Sequence, residues 1–324
     1  MRAAWYERQG PARDVLQVGT MADPTPGPDE VRIRIAASGI NPGDIKKRQD
    51  AFGYGMPYPR VIPHSDGAGV IDLVGAGVAA DSIGRRVWCY GAQSYRPFGT
   101  AAEFTVVPAS QAVPLPDNVS FEQGACLGIP VITAHRCVQM ADLVDGQTVL
   151  VQGGAGAVGL CAVQFARRAG ATVIATVRTA ADAATARNAG AHHIVRLGPD
   201  LVPQVLALAP HGVNHIVEVA FGANIAADTE MLAIRGSIAT YATNVDAPDI
   251  PFWPLLFKNI RVDFLGSDDF TRADREAAAR ATNDALVAGW DGMPIAEQFP
   301  IGEIATAHER VEAPHQRGRV VVVP

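Results

Sequence analysis

The sequence predicts an α/β protein of two domains, one of short strands and one built on a doubly wound parallel sheet. Three observations lead there. The chain has 324 residues, where one domain takes about 100–200. Its first third alternates apolar and polar residues with the period of two that a half-buried strand needs. From about residue 119 onward, apolar strand candidates recur at intervals long enough to hold helices. That spacing is the βαβ pattern of a parallel sheet.

The stretch VRIRIAASGI, residues 31–40, sets Val31, Ile33 and Ile35 against Arg32 and Arg34. AGVIDLVGAGV, RRVWCY and AAEFTVVP are further strands between glycine- and proline-rich turns, a spacing that suggests a small barrel or sandwich. TVLVQGGAG is an apolar strand running into glycines. AVGLCAVQFARRAG then brings Val158, Leu160, Ala162, Val163, Phe165 and Ala166 to one helix face, with Gly170 as its stop. Strands follow at ATVIAT, HIVRL, NHIVEVA, GSIATYA and RVDFLG. A helix through DDFTRADREAAARATNDALVAGW ends near Gly289, and the last strand, RGRVVVVP, is expected to return to the first domain.

Composition narrows the function classes. Hydrophobic residues make up 48% of the chain, enough for ordinary cores, and the net charge is −6. An acidic balance argues against nucleic acid or an anionic membrane as partner. Cys89, Cys126, Cys137 and Cys161 are scattered, without a CxxC pair, which suits a reducing cytosol. MRAAWYERQG has no basic-then-apolar leader, and no run of about 18 apolar residues occurs. A soluble cytoplasmic protein is expected.

VLVQGGAGAVGL carries the main chemical signal. Gly154, Gly156 and Gly159, with Ala155, Ala157 and Val158 between them, form G-x-G-x-x-G after a strand and at the opening of a helix. Glycines there let backbone approach a pyrophosphate, and the helix N-terminus offers unpaired N–H groups to it. An NAD site usually carries an acid at the end of the second strand. Here ATVIATVRT ends in Thr176, Val177, Arg178 and Thr179, with no acid before Asp182. Arg178 would attract a 2′-phosphate and Thr176 could hydrogen-bond it, so NADP(H) is expected; the other reading makes Arg178 a solvated loop residue.

In order and spacing, LGIPVITAH, VLVQGGAGAVGL, GAHHIV, FKNIRVDFLGS and AHERVE with RGRVVVV resemble the medium-chain dehydrogenase/reductase superfamily, and within it the zeta-crystallin-like quinone oxidoreductases. The resemblance implies a GroES-like β-barrel catalytic domain over 1–118, completed by 270–324, and a Rossmann NADP-binding domain over 119–269. It also implies a cofactor held in the cleft, and a homodimer formed through the Rossmann sheets. Zinc-dependent members carry Gly-His-Glu-Gly. Aligned on its glycines, HSDGAG puts His64 at the first glycine, Ser65 at the ligand histidine and Asp66 at the glutamate, while Asn41 and Ile129 stand at the two ligand cysteines. Catalytic zinc needs three protein ligands, so no metal is expected and His64 reads as a loop or strand-edge residue.

Without a Lewis acid, an acceptor whose charge delocalises is the one that can be reduced. The expectation is hydride transfer from NADPH to a quinone or related conjugated carbonyl. The alternatives are an enoyl or alkenal double-bond reductase, and a non-catalytic NADPH-binding sensor or structural protein.

By resemblance, Asn41 hydrogen-bonds the nicotinamide or the acceptor oxygen, unless it is only a turn residue before Pro42. Thr133 lines the phosphate–nicotinamide region. Val219, Ala220 and Phe221 cover the adenosine ribose. Tyr241 and the Leu265–Gly266–Ser267 edge grip the nicotinamide amide. Arg319 reaches the cofactor phosphates or is solvated. A tyrosine common a few residues after the Asn-Pro pair is replaced by Lys46, so the proton comes from Lys46, from Tyr54 or from water. His192, His193, His211 and His215 lack metal spacing, and His308 reads as a packing histidine.

Overall fold

The computed structural model describes residues 1–142, 146–313 and 317–324. It divides into two compact units, Met1–Ile129 with Ala279–Pro324, and Pro130–Ala278.

The first unit begins with β1 (Arg2–Trp5), α1 (Ala12–Val15), β2 (Gln17–Thr20), β3 (Glu30–Gly39), α2 (Pro42–Arg48), β4 (Asp66–Val74), β5 (Arg86–Cys89), β6 (Phe104–Pro108) and β7 (Ala112–Pro114). The chain then enters α3 (Phe121–Gln139), which breaks at Gly128, just before Pro130. The second unit holds β8 (Thr148–Val151), α4 (Ala157–Arg168), β9 (Thr172–Val177), α5 (Ala180–Asn188), β10 (His193–Arg196), α6 (Leu201–Leu208) and β11 (Val213–Glu218). It continues through α7 (Phe221–Met231), β12 (Leu232–Thr240), α8 (Phe252–Phe257), β13 (Arg261–Phe264) and into α9 (Arg272–Val287). Last come β14 (Ile295–Pro300), α10 (Ile304–Glu312) and β15 (Arg319–Val323), back in the first unit.

β3 organises the first unit. It pairs antiparallel with β4, with β6 and with β15, in a sheet ordered β14-β15-β3-β4-β5-β7 with β6 also on β3. Its period of two decides its faces: Val31, Ile33 and Ile35 are buried in one core with Ile71, Val87 and Val107, while Arg32 points outward to pair with Asp72 at 2.9 Å. The C-terminal β15 lies beside the end of β3, Val321 opposite Gly39, and Gly39 is in turn opposite Asp66 of β4. Three strand termini distant in sequence are thereby brought side by side. Gly39 is required there, because a Cβ would stand 2.0 Å from the Ala125 carbonyl oxygen.

The second unit is a six-stranded parallel sheet ordered β10-β9-β8-β11-β12-β13. The order reverses between β8 and β11, and a doubly wound sheet binds ligands outside the carboxyl ends of its strands at such a point. Val149, Leu150 and Val151 are all fully buried, the continuous apolar run expected of a strand covered on both faces. α4 buries Leu160, Ala162, Val163, Phe165 and Ala166, and Gly170 stops it with φ 84°. No described helix is long and apolar enough to cross a membrane.

Candidate functional site

In the second unit, most of the residues expected to bind cofactor line up along one edge of the sheet, where its strands end. The glycine turn leaves β8. Gly153 takes φ 67°, its N–H donates to Thr176 Oγ1 at 2.9 Å, and the Gly154 N–H donates to the Thr176 carbonyl at 2.9 Å. A Cβ on Gly154 would meet Ala175 at 2.6 Å, and one on Gly159 would stand 2.2 Å from the Gly153 carbonyl oxygen. Gly156 is exposed and caps α4, with Ala157 and Val158 in the first turn. First-turn N–H groups have no partner within the helix. The turn is therefore an open cradle of backbone donors beside Ala155.

Thr176 corrects the sequence reading. Its side chain is fully buried; the hydroxyl donates to Gln152 Oε1 at 2.8 Å, and Gln152 Nε2 donates to Asp228 Oδ1 at 2.8 Å. Thr176 holds the glycine turn from beneath and has no hydroxyl to offer a 2′-phosphate. Arg178, immediately past β9, is solvent-exposed, so the strand end presents a cation and no carboxylate.

At the end of β11, Val219 and Ala220 are half-buried. Glu218, fully buried, accepts from the Ala220 N–H and from Asn224 Nδ2 at 3.0 Å, which fixes the turn. Phe221 points into the core and meets the Phe264 ring edge-on at 5.3 Å, so only its backbone faces the strand ends. Burial and the charge of Glu218 push the Asp228 carboxyl well above the usual carboxylate range. Tyr241 extends β12 by donating its N–H to the Glu218 carbonyl at 3.3 Å, and burial drives its phenol well above the usual range. Leu265 donates to the Thr240 carbonyl at 2.9 Å; Gly266 is exposed, and Ser267 opens the next turn. Thr133 is buried on α3. His215 lies within β11, with Nδ1 2.8 Å from Ser237 Oγ and Nε2 donating to the Cys137 carbonyl at 3.0 Å.

In the first unit, the side-by-side strand ends create a buried polar cluster. Asn41 is 4% exposed and Asp66 is 0% exposed. Asn41 Nδ2 donates to Asp66 Oδ2 at 2.7 Å, its backbone N–H donates to Asp44 Oδ2 at 2.7 Å, and its Oδ1 accepts from Arg319 Nη2 at 2.9 Å. The Ile129 N–H donates to both Asp66 oxygens at 2.9 Å. Arg319 is thus neither solvated nor set out for cofactor phosphates: it is 5% exposed and 4.0 Å from the Asp66 carboxylate. The burial of Asp66 was not legible because its partners are 25, 63 and 253 residues away.

Beside this cluster runs a second buried chain. His64, at φ 76°, places Nδ1 2.8 Å from Ser38 Oγ and Nε2 2.9 Å from His308 Nε2. Ser38 Oγ is 2.7 Å from Thr100 Oγ1, and Thr100 donates to the Asp66 carbonyl at 2.6 Å. Arg48 Nε donates to His308 Nδ1 at 3.3 Å. Burial lowers His64 to about 3, with the Arg319 charge a lesser cause. The donors at the expected zinc-ligand positions do not suit a metal: an amide already bonded at both ends, the serine hydroxyl of Ser65 and the apolar Ile129. Among the described residues no three His, Cys, Asp or Glu side chains are grouped to hold a metal ion.

Lys46 and Tyr54 do not join the cluster. Lys46 Nζ lies 5.9 Å over the Phe52 ring and lines a surface groove with Pro42, Ile45, Gln49, Val311 and Glu312. Tyr54 is 86% exposed and stacks on Phe52.

Two family models match the chain: residues 27–117 match the alcohol dehydrogenase GroES-like domain, and residues 157–281 match the zinc-binding dehydrogenase family. Mouse quinone oxidoreductase is 29% identical over 313 residues, 94% of this chain and 92% of the mouse protein. A mycobacterial quinone oxidoreductase structure superposes with a TM-score of 0.87 at 28% identity, covering 100% of both chains. A mycobacterial protein solved in complex with NADPH gives 0.86 at 26% identity, again over 100% of both chains. The parallel sheet with its glycine turn, the GroES-like unit and these relatives place the chain in the medium-chain dehydrogenase/reductase superfamily, as an oxidoreductase similar to the zeta-crystallin-like quinone oxidoreductases.

Proposed function

We propose that this enzyme transfers hydride from NADPH to a quinone or a related conjugated carbonyl without a metal ion. One observation carries the reading: the positions that align with zinc ligands are occupied by Asn41, Ser65 and Ile129, and two of the three are tied to Asp66 by hydrogen bonds. Such a set offers neutral donors and no Lewis acid. A quinone or enone spreads developing charge onto oxygen and needs only that kind of support.

The residues fit the cofactor. Gly154 and Gly159 leave no room for side chains within the turn, which keeps its backbone compact, and NADPH, when bound, supplies the hydride. The backbone donors of Ala155, Ala157 and Val158 take the pyrophosphate, while the Gly156 N–H closes the turn on the Gly153 carbonyl. Arg178 takes the 2′-phosphate, and the strand ends at Val219–Phe221 and Leu265–Ser267 hold the rest. Thr133 and Tyr241 shape the nicotinamide end. Asn41 donates to the nicotinamide or the acceptor oxygen, and Lys46, Tyr54 or water returns the proton. The catalytic part is the first unit, Met1–Ile129 with Ala279–Pro324, rather than the expected 1–118 with 270–324, and the cofactor part is Pro130–Ala278.

The cysteines, all four buried thiols, suit a reducing compartment such as the cytoplasm. A homodimer through the second unit is supported by β13, an edge strand with exposed Phe252, Trp253, Phe257 and Phe264 nearby. Steady-state assays with a quinone panel and an enone panel test the reading. Turnover of quinones with NADPH upholds it, turnover of enones alone makes the protein a double-bond reductase, and NADPH binding with no turnover on either panel overturns it.

A further inference from the structure

Asp66 is one residue beyond the aligned position of the ligand histidine. It is fully buried, yet it accepts hydrogen bonds from the loop after β3, through Asn41 Nδ2 at 2.7 Å, and from the break in α3, through the Ile129 N–H at 2.9 Å. Arg319 of β15 stands 4.0 Å away on the same oxygen. Gly128, with φ 23°, makes this approach possible: a Cβ there would sit 2.0 Å from the Asp66 carboxyl carbon. We propose that Asp66 is a positioning residue that locks the Asn41 amide in one orientation, joining by hydrogen bonds the three segments that a metal ion would otherwise link. What Asn41 then touches rests on the function proposed above; the lock itself does not.

The locking follows from donor and acceptor inventories. An amide has two N–H donors and an oxygen with two lone pairs, and exchanging its two ends costs little when the neighbours can either give or accept. Here they cannot. An ionised carboxylate only accepts and a guanidinium only donates, so Asp66 fixes the nitrogen end of Asn41 and Arg319 fixes the oxygen end. One N–H of the amide remains for a ligand, in a fixed direction. Such a pre-set donor stabilises charge without reorganising at the moment of reaction.

Protonating Asp66 would undo the discrimination, because a carboxylic acid can donate. Burial raises Asp66 to about 7, opposed by Arg319, the Asn41 amide and the Ile129 N–H, and reinforced by Asp44. The other groups facing it are thiols kept neutral by burial, Cys89 on β5 and Cys126 on α3, the latter beside Arg319 and raised to about 11. The lock is therefore complete at alkaline pH and lost as pH falls through about 7.

The test combines ¹⁵N spectra of the Asn41 side-chain amide with NADPH-dependent quinone reduction between pH 5.5 and 9, in wild type, Asp66→Asn and Asp66→Glu. The expected result is an Asn41 amide resonance pair that shifts with a midpoint near 7 in the wild type and does not titrate in Asp66→Asn. With it, kcat should fall about tenfold at pH 8 in Asp66→Asn, with NADPH Kd changed less than threefold and the pH step in kcat/KM gone; Asp66→Glu should restore a step. Asn41 resonances unmoved by pH in the wild type, or an Asp66→Asn enzyme with the wild-type kcat and pH profile, would overturn the proposal. If the wild type reduces no acceptor, the proposed function fails by itself, while the amide spectra still decide the lock. If Asp66→Asn does not fold, the wild-type titration and Asp66→Glu decide it.

Discussion

The Nε2 atoms of His64 and His308 lie 2.9 Å apart, and both rings are fully buried. Arg48 can only donate, so His308 Nδ1 accepts and its proton sits on Nε2. That proton goes to His64 Nε2, which puts the His64 proton on Nδ1, facing Ser38. The Ser38 hydroxyl then donates to Thr100, whose own proton is given to the Asp66 carbonyl. One direction of donation runs from Arg48 to Asp66. The tautomers are thereby specified: ¹⁵N spectra should show Nδ1–H for His64 and Nε2–H for His308, and the opposite assignment for either ring would break the chain.

The same pair predicts acid sensitivity. His64 is held at about 3 by burial, against 6.5 for the free side chain, and burial also lowers His308. A base whose pKa is lower in the folded state contributes stability that is fully present above pH 6.5 and lost as pH falls toward the folded value, at about 1.4 kcal/mol per pH unit for each group. Asn tolerates the left-handed backbone at position 64. His64→Asn should therefore fold and flatten the fall of Tm between pH 6.5 and 4.5; an unchanged acid slope would show that His64 is already charged in the native state.

Cofactor choice is predicted at Arg178. Removing its charge from the end of β9 should weaken NADPH about tenfold, roughly 1.4 kcal/mol, and leave NADH binding within twofold. Titration calorimetry of Arg178→Ala with both nucleotides reads this directly, and an unchanged ratio of affinities would make the arginine a solvated bystander.

Gly159 is predicted to tolerate nothing larger. A Cβ 2.2 Å from the Gly153 carbonyl must displace the turn or α4, at a cost of roughly 2–4 kcal/mol. Gly159→Ala should lower Tm by several degrees and weaken nucleotide binding by more than tenfold, as read by thermal melts with and without NADPH. A substitution without effect on either would mean that the turn relaxes freely.

The exposed aromatics of α8 and the β13 edge predict self-association. Trp253 and Phe257 are 63% and 72% exposed and stack at 6.0 Å. Sedimentation of the wild type should give a dimer, and Trp253→Asp should give a monomer. A monomeric wild type at micromolar concentration would leave this surface without its proposed partner.

Much of the fold was legible in the sequence because it depends on local periodicity. The alternation of Val31, Ile33 and Ile35 fixes the buried face of β3, and the run from Leu160 to Ala166 fixes that of α4. The glycine turn was legible for the same reason, since six adjacent residues carry the whole signal. What stayed hidden lies across strand pairings. Arg319 read as a solvated or phosphate-binding charge because nothing near it in sequence shows that β15 returns beside Gly39. Thr176 read as a ligand contact because Gln152 and Asp228, which occupy its hydroxyl layer, lie on other elements. His64 and His308 each read alone as an unremarkable ring; only the fold makes them a pair.

The central claim is that reducing power passes from NADPH to a conjugated acceptor at a site that works through hydrogen bonds alone. Initial rates of NADPH-dependent quinone reduction, measured on one preparation before and after exhaustive chelation and with its metal content determined, test it most directly. The account predicts turnover that is unchanged by chelation and a zinc content far below one per chain. Stoichiometric zinc whose removal abolishes the rate, and whose return restores it, would contradict it.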